Sequence, residues 1–516
     1  MTKSTCWKKA KIFFICFTLA FLFLMICTKS SFLYPMNDWT DANCFFTVGK
    51  SMLKGKILYL DLFEQKGPLL YLLHTLAAMI SFHSFIGVFL LEIVSLTIFF
   101  YYAYKTLNLF VSHNMAIFCL PIIAFLILGL RNFSHGDSAE EFCLPILMYS
   151  LYSLTQYFKV KSPMSPSYKM FFLNGVMAGL IATIKFSLLG FWFAFMMCFF
   201  FLLLSRKEYR KSICSCLVFL GGMILPILPW IIYFIVNHAW NAFLEAYIYF
   251  NIFYYGEAIP PLMKTLAIIG KPLAFLAKSP GIGIPFLFGM FTIFYDRKFL
   301  PNLAGKLTIL TTFIFLCIGV FFGSSAFRYY YIILTPFIVY GIASVARLLE
   351  NNYHYQFQRN KEAIFMILTV WMLAFSFYAT DNTTMIQPRV EKKELVQYRF
   401  AEIINQKKKA TLLNYQFLDG GFYTAAGIVP NTKYFQKQNV NDKIYPDITQ
   451  GQNKVLEKRQ VDFVVTRDSM NRSGNYTYDK ALTKNYKKIA HQNQNYEERR
   501  YRYTLWKKRK NPLPDR

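Results

Sequence analysis

Acidic residues are scarce in this chain: 28 Asp and Glu stand against 56 Lys and Arg in 516 residues, a formal net charge of +28. Charge of either sign is thin, at 16% of residues, while 55% are hydrophobic, 19% are aromatic and the mean hydropathy is +0.32. That composition excludes an ordinary soluble domain and describes a membrane protein. Cysteine is missing from the whole polar C-terminal part, all ten lying before residue 320, and no CxxC spacing occurs. A disulfide framework and a cysteine zinc site are therefore excluded. There is no solenoid-type repeat and no low-complexity tract. The basic surplus would suit nucleic acid in a soluble chain. In a lipid-rich one it reads as loops that hold cytoplasmic ends and meet anionic headgroups, so no nucleic acid is expected.

What is present is a series of apolar runs near residues 11–28, 68–83, 85–104, 114–130, 141–157, 170–186, 187–204, 213–236, 281–296, 306–323, 329–347 and 363–379. The first has a basic start but no small-residue cleavage site, and reads as a retained span rather than a signal peptide. Basic connectors sit at 8–11, 159–169, 206–211, 297–306 and 347–361, all of which belong inside by the positive-inside rule. If every run crossed, 158–169 would face outward with its lysines. One early run must therefore lie flat or dip, and 68–83, which opens at Pro68 and contains His74 and His83, is the weakest. About 11 spans remain. Loops 29–84 and 131–140 then fall outside, and 105–113 inside. As a single helix, 170–204 would run to roughly 50 Å against a core of about 30 Å, so it must break, near Lys185. After residue 380 the composition shifts to Lys, Asn, Gln and Tyr with short β-like runs at 410–415 and 462–466, which reads as a small α/β domain on the outer side. The expected domains are 1–379 and 380–516.

The outer loops hold the acids. Over 45–53, helical spacing puts Phe45, Val48, Gly49, Met52 and Leu53 on one face and Lys50, with Lys54 following, on the other, the pattern of a helix lying in the membrane interface. Asp38 and Asp41 would stand at its N-terminal end, where the helix dipole favours carboxylates. For Asp38 a capping role suffices. The second outer loop, "LRNFSHGDSAEEFCLP", brings Asp137, Glu140 and Glu141 to the start of another apolar run. With Lys66, Lys185 and Arg328 expected on the same side, these acids describe a site for an anionic ligand: cations for phosphate, a carboxylate for a proton.

"DANCFFTVGKSMLKGKILYLDLFEQKGPLLY" resembles the first-loop signature of the GT-C superfamily of membrane glycosyltransferases, in its bacterial protein O-mannosyltransferase and aminoarabinose-transferase branch. The shared pattern is an acid, an amphipathic helix ending in a G-x-x-x-Y-x-D turn (Gly55, Tyr59, Asp61), then K-G-P. "DSAEEFCLP" is similar to the second-loop acidic motif, and "IKFSLLGFW" and "RYYYIILTPFI" to two later stretches, so the likeness covers about the first 350 residues. It departs at Asp137, where asparagine is usual, and at Glu64, where aspartate is usual. The resemblance implies a GT-C fold: about 11 transmembrane helices, juxtamembrane helices in the first outer loop, and a C-terminal extracytoplasmic α/β domain. It implies Asp41 as general base, Glu140 and Glu141 as the second catalytic acids, and Lys66 as a ligand of the lipid phosphate. Tyr59, Asp61, Asp38, Lys185 and Arg328 complete the substrate side.

The implied activity is inverting transfer of a sugar from a polyprenyl-phosphate donor to an acceptor at the outer face of a bacterial cytoplasmic membrane. No cofactor is expected. Some GT-C enzymes hold a divalent ion between acids of both loops, and Asp41 with Glu140 could do so, but the branch resembled here generally does not. Three rivals have their own signatures. A polyprenyl-linked glycan transporter would use mid-span acids such as Glu92, although no inverted repeat is visible. An O-antigen polymerase or ligase would need a large late outer loop, for which 237–280 is long enough. A scaffold would leave the paired acidic loops without a reason. "LDGGFYTAAGIVPNTKYF" (418–435) reads as a glycine-rich turn, suited to packing or to gripping an acceptor. The sequons at Asn382, Asn471 and Asn475 carry no meaning without a known compartment.

Overall fold

The structure is a computed structural model that describes residues 3–161, 163–256, 260–323, 327–387, 389–470, 478–496 and 499–513. The sequons at Asn471 and Asn475 lie outside the described residues. The chain packs into two compact units. One takes Met1–Thr28, Phe89–Ile232 and Glu257–Thr383; the other takes Lys29–Val88, Tyr233–Gly256 and Thr384–Arg516.

The first unit is helical. Among the described residues of the chain, seven helices are long and apolar enough to cross a membrane: Lys9–Cys27, Ile86–Leu107, Phe186–Ser205, Tyr209–Val236, Leu303–Phe321, Arg328–Tyr353 and Lys361–Ala379. An eighth span is added if the pair Leu262–Lys278 and Pro280–Tyr295, bent by 110°, counts as one. Shorter apolar helices, His113–Gly129 and Tyr168–Ala182, fall on two more of the expected runs, and Ala139–Phe158 on another. On Tyr209–Val236 the side chains of Ile213, Leu217, Leu220, Ile224 and Leu228 are exposed at spacings of three and four, a stripe that only lipid would favour. The expected break near Lys185 is present. Tyr168–Ala182 ends, Lys185 is extended (φ −154°, ψ 93°), and a 3-10 turn leads into Gly190–Ser205.

Contacts within this unit sort its connectors into two ends. At one end Phe110 stacks on Phe299 at 4.0 Å. Lys159 Nζ donates to the carbonyls of Lys298 and Phe299, Arg206 donates to Tyr157 Oη, and Arg347 pairs with Asp296 at 2.9 Å. At the other end, Asn382 Nδ2 donates to the carbonyls of Cys27 (2.6 Å) and Ser134 (2.8 Å). The basic connectors thus share one end, as the charge rule requires. Lys9–Cys27 finishes, and Ile86–Leu107 starts, at the other end, where Thr28 Oγ1 donates to Glu92 Oε1 (2.9 Å). The chain leaves and re-enters the bundle on one side. The helix Pro68–Ile80 has 13 residues, roughly 20 Å of rise, shorter than a hydrocarbon core of about 30 Å.

The second unit joins the first-loop helices to a four-stranded sheet. Its strands are β1 (Leu412–Tyr415), β2 (Phe463–Ser469), β3 (Tyr486–Tyr496) and β4 (Arg499–Lys508), in the order β1-β2-β4-β3. β1 and β2 are parallel, Leu412 opposite Phe463, and the crossover that parallel pairing demands carries the helices Phe422–Ala426 and Asp447–Glu457. β2–β4 and β3–β4 are antiparallel. Leu413, Val464 and Trp506 on one sheet face bury against Val455, Leu456 and Leu482. In the first loop, Thr40–Leu53 packs on Pro68–Ile80 so closely that a Cβ on Gly49 would stand 2.5 Å from the His74 carbonyl carbon, which is why glycine occupies that position. The segment 237–280, weighed above as a large outer loop, is instead mostly helical: Trp240–Phe243, a π-helix Leu244–Tyr254 and Pro261–Lys278.

The interface-helix expectation for 45–53 is corrected. Thr40–Leu53 is buried nearly all round, and Lys50, assigned to a polar outer face, is fully buried. Periodicity showed an apolar face but could not show that the polar face is covered by residues 419–436, far along the chain.

Candidate functional site

The candidate residues lie in two clusters, one in each unit. In the second unit the chain enters the first-loop helix through Asn37, Asp38 and Trp39. Trp39 is the N-cap and makes no side-chain cap, whereas Asn37 Oδ1 accepts from Trp39 N at 3.1 Å. Asp38 is not a helix cap. It is buried and ion-paired with Lys29 at 2.7 Å, a partner nine residues earlier. Asp41 is the acid of the first helical turn and is half-buried, placed where the helix dipole stabilises a carboxylate.

Behind it, the "FEQKGP" turn is built around Glu64. Its Oε2 accepts from Tyr71 Oη, Gln65 N (2.8 Å) and Lys66 N (3.2 Å), and its Oε1 from Gln438 Nε2 (2.6 Å). Burial, and then the Glu64 charge, push the Tyr71 hydroxyl far above the ordinary tyrosine range. Tyr59, expected against the substrate, is fully enclosed and donates to the Lys66 carbonyl at 2.6 Å. Its φ of 65° reflects the tight turn. Asp61, also expected on the substrate side, closes that turn by accepting from Ile57 N at 2.7 Å. The Lys66 ammonium sits 5.8 Å from the Tyr255 ring centroid. The sequence could not reveal Tyr71 and Gln438 as parts of this turn, because their contribution depends on long-range contact.

A buried polar layer backs the helix. Lys50 Nζ donates to Thr424 Oγ1 (3.2 Å) and lies 5.0 Å from the Phe46 ring centroid. Burial lowers its pKa to about 7 against the opposing pull of Asp419. Asp419 is itself pushed up by burial, while hydrogen bonds from Thr47 and Gly421 oppose the shift.

In the first unit the two second-loop glutamates part company. Ser138 caps Ala139–Phe158, its Oγ accepting from Glu141 N. Glu140 points to Lys185 and forms an ion pair with it. The same ammonium lies 3.7 Å from the Tyr330 ring centroid, at the start of the 3-10 segment that opens with Arg328, itself exposed. Glu141 turns the other way and accepts from Asp137 N (2.9 Å), which also donates to Glu92 Oε1 (2.8 Å). Glu92, weighed as a transporter's mid-span acid, therefore sits near the start of its helix and anchors the second loop. Trp192, the last residue of the "IKFSLLGFW" stretch, is buried and donates to Ser150 Oγ at 3.2 Å. Among the described residues no group of three or more His, Cys, Asp or Glu has the arrangement to hold a metal ion.

The fold has solved relatives. ArnT from Cupriavidus metallidurans bound to undecaprenyl phosphate matches with a TM-score of 0.59 and 12% identity, over 97% of this chain and 98% of that one. ArnT from the same organism in the apo state matches with a TM-score of 0.58 and 11% identity, over 98% of each chain. At such identities the likeness is one of fold, and it makes this chain a multi-pass membrane protein of GT-C architecture. A search of curated proteins finds no match. The family described as "Putative competence-induced protein Ccs4 N-terminal domain" matches residues 2–437. Matched over that length, the chain belongs to the Ccs4 N-terminal domain family.

Proposed function

We propose that this protein transfers a sugar from a polyprenyl-phosphate donor to an acceptor hydroxyl at the outer face of a bacterial cytoplasmic membrane, with inversion. The observation that carries the proposal is the near full-length fold likeness to a protein crystallised with undecaprenyl phosphate. Beside it stands an acid in the first helical turn followed by a lysine in a rigid turn.

A neutral hydroxyl is a weak nucleophile. Asp41 removes its proton as the oxygen attacks the anomeric carbon, and the bond from that carbon to the phosphate oxygen breaks. The electron pair leaves on the lipid phosphate, which needs positive charge rather than a proton. Lys66 supplies it. One displacement, with attack and departure on opposite faces, inverts the anomeric centre. Glu140 holds Lys185 by charge, while Glu141 serves the loop through Asp137. The residues after 380 belong, on this reading, to an extracytoplasmic domain.

The test is to incubate membranes with a panel of polyprenyl-phosphate sugars and to compare the wild type with Asp41→Asn. Loss of a general base costs about 10²–10⁴-fold. Turnover of any donor at the wild-type rate by the substituted enzyme rejects the base assignment, and no turnover by the wild type rejects the activity. Sidedness is checked with cysteines placed at 134 and 208, which label from outside and inside respectively; labelling from one side rejects the topology.

A further inference from the structure

We propose that the segment 417–438 is a clamp that positions the first-loop acid and the phosphate lysine, with Gln438 and Asp419 as its positioning residues. The proposal rests on the roles given to Asp41 and Lys66 above.

The main chain of Lys66 is held at both polar atoms. Its N–H is shared by Glu64 Oε2 (3.2 Å) and Tyr71 Oη (3.1 Å), and its carbonyl accepts from Tyr59 Oη (2.6 Å). Glu64 is the hub of that grip, and one of its oxygens is occupied by Gln438 Nε2, 374 residues away in sequence, at 2.6 Å. A backbone bond from Phe63 N to Lys433 O (2.9 Å) ties the same two stretches together. Glu64 and Gln438 are both buried. Without the amide, Glu64 Oε1 loses a buried partner. A carboxylate left so turns to find another, releasing the backbone N–H groups it holds.

The helix that bears Asp41 is fixed in the same way. Asp419 is fully buried, and its carboxylate accepts from Thr47 Oγ1 (2.7 Å), Gly421 N (2.9 Å) and Asn414 Nδ2 (3.0 Å). Gln436 donates to Cys44 Sγ (2.7 Å) and accepts from Asp419 N (2.7 Å). Cys44 and Thr47 lie three and six residues beyond Asp41, so two anchors within two turns set the helix's rotation and height. Those two quantities decide where the Asp41 carboxylate points. Neither anchor touches the reacting atoms; both act through groups that do.

The test uses the full-length protein in detergent, with undecaprenyl phosphate as the probe. Gln438→Leu is expected to raise both the Kd for the probe and the KM for the donor about tenfold, with kcat changed much less; a misplacement near 1 Å costs up to about 10²-fold. Gln438→Glu keeps the side-chain volume but sets an acceptor against Glu64, and should show the same loss. Exchanging the pair, Glu64→Gln with Gln438→Glu, restores a donor–acceptor match and should restore affinity. If the wild type binds the probe and Gln438→Leu binds it equally well, the clamp is overturned while the proposed function stands. A fall in the amount of competent protein at unchanged Kd, or no recovery in the exchanged pair, also overturns it. A wild type that does not bind the probe at all removes the proposed function first.

Discussion

Lys50 offers a quantitative handle on the first-loop helix. It is fully buried, its nearest hydrogen-bond acceptor is a neutral hydroxyl, and its pKa falls from an ordinary 10.5 to about 7. Above pH 7 the folded chain has released a proton that the unfolded chain keeps until about pH 10, so stability climbs with pH through that window. Integrated between pH 7 and pH 9, the two pKa values give a gain of about 2 kcal/mol. For a cooperative unit of roughly 200 residues this is about 4–8 °C in melting temperature. Lys50→Met retains the aliphatic stem and deletes the titration, so the variant should lack this rise whatever its absolute stability. The assay is thermal unfolding of the purified protein in detergent at pH 7, 8 and 9, wild type beside variant. Parallel pH curves for the two proteins would refute the placement of Lys50.

Other expectations follow from single contacts. Asp38→Asn or Lys29→Met strands a buried charge and should each cost about 3–5 kcal/mol by chemical unfolding, while the double replacement with apolar side chains should cost far less than the sum. Gly421 has a φ of 88°, and a Cβ there would stand 2.5 Å from Met36 Cε; Gly421→Ala should cost about 2–4 kcal/mol from strain and crowding together, read as a fall in melting temperature. Glu140→Gln should lower the melting temperature, because it removes the carboxylate that pairs with the Lys185 ammonium. Glu141→Gln should leave stability unchanged or raised, because it removes one of three neighbouring acids; equal losses in the two variants would contradict the parting of these side chains.

Much of the fold was legible because periodicity and length are local properties. The break before Phe186, the short helix Pro68–Ile80, and the strands at 412–415 and 463–469 all follow from runs that can be measured along the chain. The gathering of the basic connectors at one end of the helical unit was likewise implied by where lysine and arginine lie. What could not be read was any assignment that depends on which distant residue covers a polar side chain. Lys50 looks like a solvated lysine until Asp419 and Thr424 close over it, and Asp38 looks like a cap until Lys29 reaches it. Tyr59 fits a ligand contact until its hydroxyl is seen bonded to Lys66. Glu140 and Glu141 are adjacent in sequence and indistinguishable there; only the helix start at Ala139 sends one toward Lys185 and the other toward Asp137.

The second unit is assembled from three stretches of chain separated by long intervals, the first ending at Val88 and the last beginning at Thr384. On a ribosome adding about 5–20 residues per second, the earliest stretch is complete some 15–60 s before synthesis of the last one begins. Through that time Glu64, Thr47 and Lys50 lack the partners that Gln438, Asp419 and Thr424 later supply. Biogenesis therefore includes a wait, and a stop codon ahead of residue 419 would strip the opening loop of its support as surely as a lesion within that loop.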